Sequence, residues 1–130
     1  MMSALTSDQM AAIVDLVTKH CDAYAVILFG SAAKKSLRKD SDVDIAYLSK
    51  EKMGAYKRFM EAQRISDVLK REVDLIDFSE ASTVFQTQIV ANGILLHDSE
   101  PFLRQQAYMV ALKSYALLNE ERAEILKALE

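Results

Sequence analysis

Residues 24–31, Tyr-Ala-Val-Ile-Leu-Phe-Gly-Ser, and residues 41–48, Ser-Asp-Val-Asp-Ile-Ala-Tyr-Leu, are separated by only nine intervening positions and decide how the chain reads. The first stretch is an apolar run of strand length that ends on a Gly-Ser turn. The second opens with two aspartates and continues as another short apolar strand. Residues 32–41, which run into the start of the second stretch, are polar and basic, consistent with a short helical turn and a loop. That connection is too short for an ordinary crossover helix, which points to an antiparallel pair and a mixed sheet.

Working outward, apolar residues at Met10, Ile13, Val14 and Val17 predict a helix from 7 to about 20 with Ser7 as its N-cap. A second helix is expected over 52–70, from Met53, Tyr56, Phe59, Met60, Ile65, Val68 and Leu69. A third strand follows at 72–78. Ser79 or Ser82 then caps a helix that Asn92-Gly93 ends with the usual C-terminal glycine, and Ile94-Leu95-Leu96 forms a last strand. Pro101 sits where helices begin, and 101–129 holds no breaker. The expected fold class is α/β: a mixed β-sheet of about four strands with flanking helices and a long C-terminal helix. At ~1.5 Å per residue that helix runs ~42 Å, against roughly 36 Å across a compact domain of this size. Part of it should overhang or lie across an edge. Its apolar residues spread over more than one stripe, which suits either one face on the sheet and another on a partner helix, or a simple intramolecular cover.

The 130 residues are 51% hydrophobic and 27% charged, with 3 Gly, 1 Pro and 1 Cys, which describes one domain, 1–130. The single cysteine, Cys21, excludes an internal disulfide and multi-cysteine zinc modules. No stretch approaches the ~18 apolar residues of a membrane span, and the N-terminus lacks a signal-peptide layout, so a cytoplasmic protein is expected. With 16 basic and 19 acidic side chains the net charge is −3, which argues against stable nucleic-acid binding and suits a basic protein partner.

The chemistry lies in Gly30-Ser31 and Asp42-Val43-Asp44. Residues i and i+2 of a strand share a face, so Asp42 and Asp44 present two carboxylates together while Val43 and Ile45 go to the buried side. Adjacent carboxylates repel unless a cation lies between them, and hard oxygen ligands beside phosphate oxygens suit Mg²⁺. Gly30 lets a backbone approach a ligand, and Ser31 adds a hydroxyl and amides at a helix start, an anion site. Phosphate beside metal makes a nucleoside-triphosphate site. A third acid would activate an attacking hydroxyl and complete a second metal position. Of Glu72, Asp74 and Asp77, Asp74 is chosen: its neighbours Val73 and Leu75 take the buried face, whereas Asp77 has the wrong parity. A carboxylate inside an apolar strand is also costly without a metal or partner.

The run Leu28-Phe29-Gly30-Ser31-Ala32-Ala33-Lys34, continuing at Ser41-Asp42-Val43-Asp44-Ile45, resembles the signature of the polymerase-β-like nucleotidyltransferase superfamily. With the small size and the Val73-Asp74-Leu75 strand, the chain is similar to the minimal nucleotidyltransferase (MNT) antitoxins of HEPN/MNT toxin–antitoxin pairs. The resemblance covers about 24–98, a catalytic palm, and extends to the long final helix, 101–129. It implies Mg²⁺ and ATP binding by Gly30, Ser31, Asp42 and Asp44, with Asp74 as third acid. It further implies transfer of AMP to a tyrosine hydroxyl of a HEPN-type toxin, a basic all-α ribonuclease; the geometry of the C-terminal helix makes that helix the candidate docking element. Lys34, assigned to the nucleotide, stands where family members often carry Arg; it keeps the charge and loses the bidentate fork.

Two alternatives are a steric antitoxin with a vestigial site, which the three carboxylates disfavour, and a small-molecule nucleotidyltransferase, which usually carries an extra helical domain. Asp40 is read as an exposed loop carboxylate, and Lys34, Lys35, Arg38 and Lys39 as a basic loop either solvated or beside the phosphates. His97 and Asp98 are read as surface residues, and His20 and Cys21 as structural.

Overall fold

The computed structural model describes residues 5–31, 33 and 42–129. The turn and loop expected at 32–41, with Lys34, Lys35, Arg38, Lys39 and Asp40, therefore lie almost wholly outside the described residues, and those five outside them entirely. The elements run α1 (Ser7–His20), β1 (Ala23–Phe29), β2 (Val43–Ser49), α2 (Ala55–Leu69), β3 (Val73–Asp77), a 3-10 turn (Phe78–Glu80), α3 (Thr83–Asn92), β4 (Ile94–Asp98) and α4 (Pro101–Ala128).

Local chemistry sets the boundaries that the apolar pattern placed only roughly. Thr6, not Ser7, caps α1: the Gln9 amide N–H donates to Thr6 Oγ1 at 3.1 Å, and the Thr6 N–H donates back to Gln9 Oε1 at 2.8 Å. A cap at Ser7 would put Met10 in the third position, with no oxygen to return the bond. Helix α2 starts after Gly54 rather than at 52 and ends at Leu69, where Lys70 turns left-handed at φ 58°. Strand β3 stops at Asp77 because its carboxylate accepts from the Ser79 N–H at 2.9 Å and Ser79 Oγ at 2.7 Å, opening the 3-10 turn. Of the two possible caps of α3, Ser82 serves, accepting from the Phe85 N–H at 3.2 Å. Gly93 does end α3, but with an extended backbone (φ −74°) in place of the left-handed form expected of a C-terminal glycine. Its small size matters instead: a Cβ there would meet Ile89 O at 2.5 Å and Ile27 Cγ2 at 2.6 Å.

The four strands form one mixed sheet in the order β3-β2-β1-β4. The pairs β1–β2 and β1–β4 are antiparallel and β2–β3 is parallel, as the short first connection required. Alternate residues of the central strands build two cores. Val26, Leu28, Val43, Ile45 and Tyr47 meet Ile13 and Val17 of α1 and Ile65 of α2. Ala25, Ile27, Phe29, Ala46 and Leu48 meet Phe78, Ile89 of α3 and Ala111 of α4. A strand covered on both faces reads as an unbroken apolar run, which is why residues 24–29 stand out in the sequence.

Helix α4 is 28 residues long and packs chiefly on α3. Ala111 is its one buried residue among those described, while Phe102, Met109, Val110, Leu117, Ile125 and Leu126 are all more than half exposed. From Asn119 to Leu129 every residue is exposed, so the far end overhangs as its length predicted. Among the described residues no helix is long and apolar enough to cross a membrane.

Candidate active site

The turn after β1 begins with Gly30 at φ 70°, a left-handed backbone that glycine adopts without strain. A Cβ built on Gly30 would also fall on Asp44 Oδ2, so a larger residue there would have to displace that carboxylate. The register explains this proximity, since Phe29 of β1 pairs with Asp44 of β2. Ser31 follows in the same turn, half-buried.

Val43 and Ile45 are fully buried against α1 and α2, which turns Asp44 to the α3 side of the sheet. Asp42, two residues earlier and so on the Asp44 face if the strand geometry extends to it, is exposed just before β2 begins. In the parallel pair Asp74 of β3 stands opposite Asp44. Gly30, Asp44 and Asp74 thus lie on three adjacent strands or their ends, at neighbouring positions across the sheet. Burial, then the charges of Asp74 and Asp42, push the Asp44 carboxyl up to about 6 from an ordinary 3.8. A neighbouring cation would remove that repulsion, so the donor set fits a divalent metal. Among the described residues no three His, Cys, Asp or Glu form a ready metal cage.

Asp74 occupies the place the parity argument gave it, but the cost-of-burial argument for it fails. Strand β3 is at the sheet edge and Asp74 is exposed, so its register opposite Asp44 is what marks it. Asp77 is excluded from the site, being buried and engaged in the turn at Ser79. Lys34 and the expected helix start beyond Ser31 fall outside the described residues, Ala33 excepted.

Asp98 is not a plain surface residue. Arg104 of α4 donates to its Oδ2 through Nε at 3.0 Å, forms an ion pair with the same oxygen through Nη2 at 3.0 Å, and stacks 5.3 Å from the Tyr108 ring centroid, so the pair ties α4 to the end of β4. His20 lies near buried Glu61, Nδ1 to Oε2 3.7 Å, and burial pushes the Cys21 thiol up to about 11, both as structural residues would be.

The sequence reading missed one wall of the site. Phe85, Gln88, Ile89 and Asn92 of α3 enclose, with Phe29, Gly30 and Asp44, a cavity of about 480 Å³. Their spacing of three, four and seven is one helical face, and the amides at 88 and 92 interrupting it were the available signal.

Residues 11–102 match the family described as polymerase beta, nucleotidyltransferase. The protein adenylyltransferase MntA of Shewanella oneidensis is 31% identical over 99 residues, 76% of this chain and 68% of that protein. The probable protein adenylyltransferase MntA of Haemophilus influenzae is 31% identical over 98 residues, 74% of this chain and 85% of that protein. Among solved structures, a chain of a toxin–antitoxin crystal structure with AMP-PNP superposes with a TM-score of 0.83 at 27% identity, covering 92% of this chain and 97% of that one. A chain from the complex of tri-AMPylated Shewanella oneidensis HEPN toxin with MNT antitoxin gives 0.79 at 25% identity, covering 96% and 98%.

Proposed function

From the premise that the chain belongs to the polymerase beta nucleotidyltransferase family, we propose that it is a protein adenylyltransferase that transfers AMP from ATP to a tyrosine hydroxyl of a HEPN-type ribonuclease toxin and so acts as its antitoxin. The observation that carries this reading is the juxtaposition of Gly30, Asp44 and Asp74 across β1, β2 and β3, with Asp44 held against the glycine. Support for the acceptor comes from the relatives, two of them adenylyltransferases by name and one solved in complex with an AMPylated HEPN toxin.

In this account the left-handed Gly30 and the Ser31 hydroxyl receive the β- and γ-phosphates, with no side chain at residue 30 to obstruct them. Asp42 and Asp44 would hold Mg²⁺, which when bound supplies charge neutralisation for the phosphates and for the departing pyrophosphate. Asp74, exposed beside Asp44, accepts the proton of the incoming tyrosine hydroxyl as its oxygen attacks the α-phosphorus in line, and pyrophosphate leaves. Lys34 adds positive charge near the phosphates. The whole chain works as one domain in the cytoplasm: the palm of 24–98 carries the site, and the exposed apolar residues of α4 dock the toxin.

The test is incubation of the toxin with this protein, ATP and Mg²⁺, followed by mass spectrometry and a ribonuclease assay. Loss of ribonuclease activity together with an AMP adduct on a tyrosine is the expected result. Inhibition by stoichiometric binding alone, without ATP or an adduct, would replace this reading with the steric one.

A further inference from the structure

The cavity beside Gly30 and Asp44 has a wall that the transfer chemistry above does not use. If the triphosphate sits on the Gly30 turn, the nucleoside needs room next to it, and the cavity provides that room between Asp44 and α3. Its volume of about 480 Å³ falls within the roughly 300–1,000 Å³ usual for small-molecule sites. The wall is divided chemically. Phe29, Phe85 and Ile89 are apolar, with Phe85 braced edge-to-face on Phe29 at 5.5 Å between centroids. Gln88 and Asn92, one helical turn apart, bring two carboxamides.

We propose that this face of α3 is the nucleoside subsite and sets nucleotide selectivity: Phe85 contacts the base, and Gln88 and Asn92 read an adenine edge. This rests on the nucleotidyl-transfer reading of the site. A carboxamide carries donor and acceptor together and so matches the adjacent N6 donor and N7 acceptor of adenine. Among the described residues the lining includes no Arg or Lys for guanine O6 and N7, and its one carboxylate, Asp44, faces the metal position. The two amides are not required for the fold of α3. The neighbouring Gln86, on a different face, instead donates to Phe78 O at 2.7 Å.

The experiment is calorimetric titration of Mg·ATP, Mg·GTP and Mg·tripolyphosphate into the wild type, Gln88→Ala with Asn92→Ala, and Gln88→Arg. Alanine favours the helix at both positions, and circular dichroism checks that each variant is folded. The wild type should prefer ATP to GTP by about tenfold or more, and the double variant should lose about tenfold in ATP affinity, the sum of two neutral hydrogen bonds. Its ATP-to-GTP ratio should approach one while tripolyphosphate binding is unchanged. Gln88→Arg, whose paired donors match guanine O6 and N7 but meet a donor at adenine N6, should move the ratio toward GTP. Undiminished ATP selectivity in both variants would overturn the subsite and leave the nucleotidyl-transfer reading standing. A wild type that binds neither nucleotide nor tripolyphosphate would overturn that reading, and the subsite with it.

Discussion

Asp44 should weaken the fold it belongs to whenever no cation is bound, and Asp44→Asn isolates the effect. The carboxyl titrates at about 6 in the folded chain against an ordinary 3.8. Below 3.8 folded and unfolded chains are both protonated and nothing is lost. Between 3.8 and about 6 the folded chain keeps a proton that the unfolded chain has released, so stability falls as pH rises through that window and is fully reduced above it. At about 1.36 kcal/mol per pH unit the gap corresponds to about 3 kcal/mol. The carboxyl is only partly buried, and solvent screening brings the expected effect to about 1–2 kcal/mol.

Urea unfolding of wild type and Asp44→Asn from pH 4 to 8, without metal or nucleotide, reads this directly. The variant should be the more stable protein by about 1–2 kcal/mol at pH 7.5, with the difference closing toward pH 4. Adding Mg·ATP at about 100 times its dissociation constant should then stabilise the wild type by about 2.7 kcal/mol and the variant far less. A variant less stable than wild type at pH 7.5, or a difference independent of pH, would refute the electrostatic reasoning.

Gly30→Ala should destabilise by about 1–3 kcal/mol, from the left-handed backbone and the collision with Asp44 Oδ2, and should abolish AMP transfer; a normal melting temperature with normal transfer would contradict the turn geometry. Asp98→Ala removes the hydrogen bond and ion pair to Arg104 and should cost about 2–3 kcal/mol in urea unfolding while leaving the nucleotide site intact, so that Mg·ATP affinity is unchanged. Truncation after Leu118 removes residues that are all exposed among those described, so the stability of the isolated chain should change by less than about 1 kcal/mol. The same truncation should sharply weaken co-purification of the toxin, and undiminished capture would place docking elsewhere.

The parts of the fold that local pattern can encode were legible in the sequence. The doubly covered β1 shows as an apolar run, the short connection to β2 dictated an antiparallel pair, and strand parity put Asp44 opposite the buried Val43 and Ile45. Asp74 came from the same parity, although nothing local revealed that β3 is an edge strand and leaves the carboxylate exposed. Contacts between distant segments were out of reach. The Arg104–Asp98 pair depends on how α4 returns over β4, and the α3 wall depends on which face of a short helix meets the end of β1. The helix boundaries slipped where a side-chain bond decided them, as with Thr6 and Gln9, which apolar periodicity does not register.

The most direct measurement is AMP transfer to the toxin by wild type and by Asp42→Ala with Asp44→Ala, followed by mass spectrometry of the toxin under identical ATP and Mg²⁺. The wild type should add AMP to tyrosine, and the double variant, folded by circular dichroism, should add none. Undiminished transfer by the double variant would contradict the assignment of the catalytic site.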